Sequence, residues 1–364
     1  MASDVAALND LGQSPWYDNL TRSLILEGGL AALVSNDGIR GVTSNPTIFE
    51  KAMGTGDVYD QGLAECERAG LGIEESYWRL VTEDVASAAD VLRPVYEDTG
   101  GADGFVSLEV SPDLAHDNGG TCAQAQQLFT EIGRPNVMIK IPATLAGLPA
   151  ITSTIAAGIN VNITLIFALD RHKAVIDAYL DGLEQLVAAG GDPSTVSSVA
   201  SFFVSRVDTE TDRRLPEGNA LRGKAAVANA KLAYRLFKES FAGERWGALA
   251  AKGARLQRPL WASTSTKNPD YAPTLYVDEL IGRNTVNTLA PASIDALHEG
   301  KATLEADTVE HAVDEAQRTI DQLADAGVDF ADVTDTLERE GVASFSASFH
   351  DAFNTLEKKR AEVA

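Results

Sequence analysis

Cysteine is nearly missing from this chain: Cys66 and Cys122 are the only two thiols, far apart and outside any CxxC pair. Such a pair makes a poor disulfide framework, which points to a reducing compartment. Basic charge is scarce as well. Thirty Lys and Arg stand against 53 Asp and Glu, a formal net charge of -23, and a surface of that sign repels nucleic-acid phosphates and anionic bilayers. It does not exclude a small anionic substrate, because a few basic groups focused in a cleft outweigh distant acidic charges screened by salt. No stretch approaches the ~18 apolar residues of a membrane span, and the start Met1-Ala2-Ser3-Asp4 lacks the basic and apolar regions of a secretion signal. The expectation is a cytoplasmic protein with neither nucleic acid nor membrane as partner. His116, His172, His298, His311 and His350 show no HxxxH or HExxH spacing, so neither a metal site nor a serine-type triad has support. A dinucleotide fingerprint is lacking too, since Gly54-Thr55-Gly56 has Tyr59 where the third glycine belongs.

What is present is a repeated alternation. Short β-rich runs at 15–17, 41–43, 106–110, 137–141, 161–166, 199–204, 259–262 and 286–289 are separated by helical patterns, the sequence form of βα units and a parallel sheet. Runs such as VMIKI, VNITLIF and VASFFVS are almost continuously apolar or β-branched, as strands covered on both faces must be. Eight of them predict an α/β fold, a (β/α)8 TIM barrel, read as one domain over 1–364. Extra helices are expected after strand two (46–105), after strand six as one long stretch (219–252, with no proline to break it), and at the C-terminus. There 292–364 reads almost wholly as helix, closing the barrel and capping one end. No linker or internal repeat beyond the βα alternation marks a boundary.

Active sites of such barrels lie at the C-terminal ends of the strands, so polar residues that end or interrupt an apolar run carry the chemistry. Lys140 interrupts Val137-Met138-Ile139-Lys140-Ile141-Pro142 and must point into the barrel or disrupt a buried face. A lysine deprotonated by burial or by a neighbouring cation attacks carbonyl carbons; the alternative is a lysine paired inside the barrel with Glu109, one strand away. Asp18 at the end of strand one and Glu109 in strand three can divide proton abstraction and water handling between them, although Asp18 also suits a helix cap before Asn19-Leu20-Thr21. Asn162 and Thr164 share one face of strand five, where they can bind substrate hydroxyls or form an internal polar network. Their sequon, in a buried strand, carries no meaning. Asn45 follows strand two and Ser201 lies in strand six. Arg206 and Lys267, after strands six and seven and close to Ser205, Ser263 and Ser265, can hold a phosphate or stand as solvated charges.

The segments Gly41-Val42-Thr43-Ser44-Asn45-Pro46-Thr47, Ser107-Leu108-Glu109-Val110, Ile139-Lys140-Ile141-Pro142-Ala143-Thr144, Asn160-Val161-Asn162-Ile163-Thr164-Leu165-Ile166-Phe167 and Ser201-Phe202-Phe203-Val204-Ser205-Arg206 resemble, in that order, the transaldolases, and Trp16-Tyr17-Asp18 is similar to their longer bacterial branch. The resemblance spans about 15–291. It implies that Lys140 is the Schiff-base lysine and Asp18 the acid/base group for the C4 hydroxyl. Glu109 would act through a water that Thr164 positions, Asn45, Asn162 and Ser201 would hold the substrate, and Arg206 would bind its phosphate. Lys267, in Ala262-Ser263-Thr264-Ser265-Thr266-Lys267, stands near where the better-known branch has an arginine, a point charge in place of a bidentate fork. Ser201-Phe202 and Val204-Ser205 replace the Ser-Pro and Val-Gly pairs often found there. The implied reaction moves a dihydroxyacetone unit between sugar phosphates in the pentose phosphate pathway with no metal or organic cofactor. A class I aldolase using the same lysine, or a catalytically silent sugar-phosphate binder, are the rival readings; the oligomeric state is not encoded in any recognisable way.

Overall fold

The structure, a computed structural model, describes residues 3–363. Eight parallel strands close into a barrel in sequence order: β1 Gln13–Tyr17, β2 Gly41–Thr43, β3 Phe105–Glu109, β4 Val137–Pro142, β5 Val161–Ile166, β6 Ser198–Phe203, β7 Gln257–Ala262 and β8 Thr285–Leu289. Closure is made by β8 on β1, from Gln13↔Thr285 to Tyr17↔Leu289. Apart from Arg258 in β7, every strand residue is buried, which is why these runs lack the polar alternation of a one-sided sheet. Gly41 is fixed by packing, since a Cβ there would lie 2.3 Å from the Trp16 ring.

β2, β4 and β5 begin where the apolar runs predict, but β1, β6, β7 and β8 begin one or two residues earlier, and the reason is a buried polar layer at the N-terminal end of the barrel. Gln13 donates from Nε2 to the Leu280 carbonyl at 2.7 Å and to Thr285 Oγ1 at 3.0 Å, and Gln257 donates to Ser198 Oγ at 3.0 Å. These residues read as loop because they are polar, yet each makes a side-chain hydrogen bond inside the barrel. The strand expected over 106–110 runs instead from Phe105 to Glu109.

Two helical expectations are corrected. The stretch 219–252 is two helices, Ala225–Ser240 and Glu244–Ala250, broken at Gly243, whose extended backbone (φ -82°, ψ 170°) ends the run without any proline. Phe241 stacks on both Phe237 and Trp246 and fixes the corner, with ring centroids at 5.2 and 5.0 Å. The C-terminal region is interrupted between Pro291–His298 and the short turn Thr308–Glu310, where Gly300 at φ +66° terminates the first helix. Conversely, Ile73–Asp98 continues through Pro94 as a single helix.

The last helix, Phe330–Val363, crosses the mouth formed by the strand C-termini. Arg171 pairs with Glu338 at 2.7 Å, Arg214 with Asp332 at 2.6 Å, and Thr47 shares a hydrogen bond with Ser348 at 2.8 Å. A pair as exposed as Arg214–Asp332 contributes at most about 1 kcal/mol, whereas burying a large apolar side chain gives about 1.5–3 kcal/mol. Phe345, Phe349 and Leu356, all buried, therefore hold this helix down more firmly than its charges do.

Candidate active site

Beneath that helix the strand ends surround a cleft of about 240 Å³. Glu109 and Lys140 are register partners across β3 and β4, and Lys140 and Asn162 across β4 and β5, so the three side chains leave the sheet on one face. Lys140 is only 5% exposed. Its Nζ donates to the Ser44 carbonyl at 2.9 Å, stands 3.0 Å from Glu109 Oε2, and lies 5.8 Å from the Phe345 ring centre. Lys140 thus lines the cleft and is paired with Glu109, the partner one strand away.

Asp18 follows β1 directly and accepts a hydrogen bond from Thr43 Oγ1, the last residue of β2, at 2.8 Å. It caps nothing; the helix Arg22–Leu26 is capped by Thr21, whose Oγ1 accepts from the Leu24 amide at 3.1 Å. Asn45 does act as a cap. Its Oδ1 accepts from the Ile48 amide at 3.0 Å and starts the helix Pro46–Gly54, which leaves its Nδ2 to the cleft. Asn162 donates to Ser107 Oγ at 3.0 Å and accepts from Ser201 Oγ at 2.7 Å. It thus belongs to a chain inside the barrel, while Ser201, at the end of that chain, lines the cleft.

Thr164 sits one layer above Asn162 on the same strand, in register with Pro142. Its Oγ1 is buried and makes no hydrogen bond within the protein, and Glu109 Oε2 has only the ion-pair contact; both can receive a substrate hydroxyl or a water. Immediately after Thr164, Leu165 takes a left-handed backbone (φ 60°) at a register shift in β5. A branched side chain in that region is strained by roughly 1–3 kcal/mol, so the surroundings hold it there.

Cations occupy the outer part of the cleft. Arg206, in the first turn of the helix Ser205–Arg214, lies over the rings of Phe203 (5.3 Å) and Phe345 (5.9 Å). Lys267 donates to Ser265 Oγ at 2.8 Å, and Lys51 joins from the helix Pro46–Gly54. Among the described residues none of the three makes a salt bridge, unlike Lys140 at the floor. Burial depresses the basicity of Arg206 and, with the nearby Arg206 charge, that of Lys267. Burial pushes the Asp18 and Glu109 carboxyls up, against the Thr43 hydrogen bond and the Lys140 charge at Asp18 and the Lys140 charge at Glu109. Two carboxyls with raised proton affinity beside an amine can exchange protons with it and with a bound hydroxyl.

All nine residues singled out from the sequence gather at this end of the barrel, eight around the cleft itself or its immediate floor and Asn162 behind Ser201. Nothing local singles out Phe345, whose position in a 34-residue helix carries no signature, nor Lys51, which looks like a helix C-terminal charge. Thr43 and Ser44 were findable: Thr43 ends β2 and Ser44 follows it, beside Asn45. No group of three or more His, Cys, Asp and Glu among the described residues is placed to hold a metal ion, and no described helix is long and apolar enough to cross a membrane.

A closed parallel barrel with a paired lysine at the floor of its strand-end cleft and unpaired cations at the rim defines a barrel enzyme. A family model described as Transaldolase/Fructose-6-phosphate aldolase matches residues 15–356. Relatives named transaldolase are similar along their whole length. That of Thermobifida fusca (strain YX) is 50% identical over 366 residues, covering 99% of each chain, and that of Parafrankia sp. (strain EAN1pec) is 47% identical over 369 residues, covering 100% of each. The chain belongs to the transaldolase/fructose-6-phosphate aldolase family, and it is an enzyme, a transferase of the transaldolase kind.

Proposed function

We propose that the enzyme transfers a dihydroxyacetone unit from a ketose phosphate, sedoheptulose 7-phosphate or fructose 6-phosphate, to an aldose phosphate, glyceraldehyde 3-phosphate or erythrose 4-phosphate, through a Schiff base on Lys140, as a step of the pentose phosphate pathway. The carrying observation is the buried Lys140 amine lining the cleft with Glu109 Oε2 at 3.0 Å.

Lys140 needs to be neutral to attack. Glu109, whose proton affinity is raised by burial, is the group placed to accept its proton, which converts a costly buried ion pair into two neutral partners. The amine nitrogen adds to the ketone carbon C2, forming a carbinolamine. Glu109, directly or through a water held with Thr164, returns a proton so that the C2 hydroxyl leaves as water and the iminium forms. Asp18 takes the proton of the C4 hydroxyl, the C3–C4 bond breaks, its electron pair moves into the iminium to give an enamine, and the aldose phosphate departs. An incoming aldose phosphate then takes the same place, and the steps run backwards to release the new ketose and the free lysine. Arg206 and Lys267 hold the phosphate of both sugars, while Asn45 and Ser201, the latter oriented by Asn162, bind their hydroxyls.

Borohydride reduction in the presence of fructose 6-phosphate tests the assignment. The expected result is a reduced three-carbon adduct on the peptide containing Lys140, absent from Lys140→Met. Adduct on Lys267 instead, or normal turnover by Lys140→Met, would overturn it.

A further inference from the structure

Two neighbouring cations without carboxylate partners repel one another. Lys267 is on a long loop, 263–274, and its four-carbon stem has no rigid fork to hold its direction. Left to itself the loop would swing Lys267 away from Arg206, so something must hold it. The helix Ser205–Arg214, whose second residue is Arg206, carries two buried carboxylates further along, Asp208 and Asp212, and both reach the segment bearing Lys267 or its end. Tyr271 donates to Asp212 Oδ2 at 2.5 Å, and Tyr276, just beyond the loop, donates to Asp208 Oδ2 at 2.8 Å. The other oxygen of each carboxylate is fixed by a backbone amide, Gly223 N to Asp212 Oδ1 at 2.9 Å and Ala226 N to Asp208 Oδ1 at 2.8 Å. Gly223 is at φ +71°, and a Cβ there would come within 2.6 Å of the Tyr271 ring, so the chain leaves room for that ring and no more. At its near end the loop is tied to the same helix by Ser205 and Ser263, whose hydroxyls are 2.9 Å apart, with Ser263 at φ 57°.

We propose that Tyr271 and Asp212 form a clamp that sets Lys267 beside Arg206, making them positioning residues for the phosphate-binding pair. The proposal rests on Lys267 binding substrate phosphate. The clamp supplies by loop anchorage the geometric definition that a lysine lacks relative to an arginine, and the substrate phosphate then neutralises the repulsion that the clamp holds in place.

The test is a double-mutant cycle on the full chain with Tyr271→Phe and Lys267→Ala, with circular dichroism confirming the fold of each variant. Loss of one positioning hydrogen bond should raise KM for fructose 6-phosphate about fivefold in Tyr271→Phe, with kcat within about twofold. Borohydride trapping of unphosphorylated dihydroxyacetone at Lys140 should proceed at the wild-type rate. In the Lys267→Ala background Tyr271→Phe should add nothing further. Gly223→Ala, which crowds the Tyr271 ring, should reproduce the selective KM increase. The clamp is refuted if Lys267→Ala raises KM while Tyr271→Phe does not, or if Tyr271→Phe costs as much without Lys267 as with it. An unchanged KM in Lys267→Ala would instead remove the phosphate role of Lys267, and the clamp with it.

Discussion

Replacing Lys140 by Met removes the charge that faces Glu109 while keeping much of the side-chain volume. At 3.0 Å and an effective dielectric of about 20, the lost attraction is about 5–6 kcal/mol; removing one member of a buried pair commonly costs about 3–5 kcal/mol. The loss has a ceiling, because Glu109 can protonate. Its carboxyl is already raised by burial and restrained chiefly by the Lys140 charge, so in the variant it rises further. A folded-state carboxyl above its unfolded value contributes stability at low pH that is lost as pH climbs through the folded value. Lys140→Met should therefore be least impaired near pH 5 and lose stability towards pH 8 by up to about 1.4 kcal/mol per pH unit relative to wild type. Urea unfolding followed by circular dichroism across that range measures it. The double variant Lys140→Met/Glu109→Gln should abolish the extra slope and be the more stable of the two at pH 8, although both are inactive. Parallel pH profiles for Lys140→Met and wild type would show that the two groups do not sense each other's charge, and the proton transfer from Lys140 to Glu109 would lose its basis.

With Asp18 raised by burial and proposed as the base, the acid limb of kcat/KM should lie above the ordinary aspartate range, and Thr43→Val, which removes a hydrogen bond that lowers it, should move that limb higher still; a limb that shifts downward contradicts the assignment. Gly341→Val should cost about 1–3 kcal/mol and raise KM for phosphorylated donors, because even a Cβ at that position lies 2.9 Å from Leu165 Cδ2 and 3.7 Å from Arg206 Nη1; thermal melts and steady-state kinetics read both effects. Incubation with fructose 6-phosphate alone should yield about one glyceraldehyde 3-phosphate per active site and then stall until an acceptor aldose phosphate is added, whereas continuous release of dihydroxyacetone would mark an aldolase.

The barrel was legible because burial on both faces leaves strands no freedom of composition: β4, β5 and β6 must be apolar or β-branched wherever they do not serve the site, so Lys140 and Asn162 stand out against their neighbours. The starts of β1, β6, β7 and β8 were not legible, since Gln13 bonds Thr285 and Gln257 bonds Ser198 between neighbouring strands and only three-dimensional closure reveals that such polar residues are interior. The break at Gly243 escaped because a lone glycine costs a helix only about 1 kcal/mol, too little to decide a boundary without the aromatic corner of Phe237, Phe241 and Trp246.

For the site, the legible part is what each strand delivers alone, and the illegible part is what the C-terminal helix adds from far along the chain. Phe345 lies over both Lys140 and Arg206, which joins the floor of the cleft to its rim through one ring. Gly341, one turn earlier, is where the same helix passes against Leu165 and Arg206. A side chain there would push the helix outward or force Leu165 from its left-handed backbone, and Leu165 is the direct neighbour of Thr164. The strain at Leu165 and the missing side chain at Gly341 are therefore two halves of one arrangement. The register of β5 shifts at Leu165, the helix offers bare backbone at Gly341 where the Leu165 side chain lies, and Thr164, Arg206 and Phe345 adjoin that contact. Sequence reading assigns each of these residues to a separate element, and only the contact between strand and helix makes them a unit.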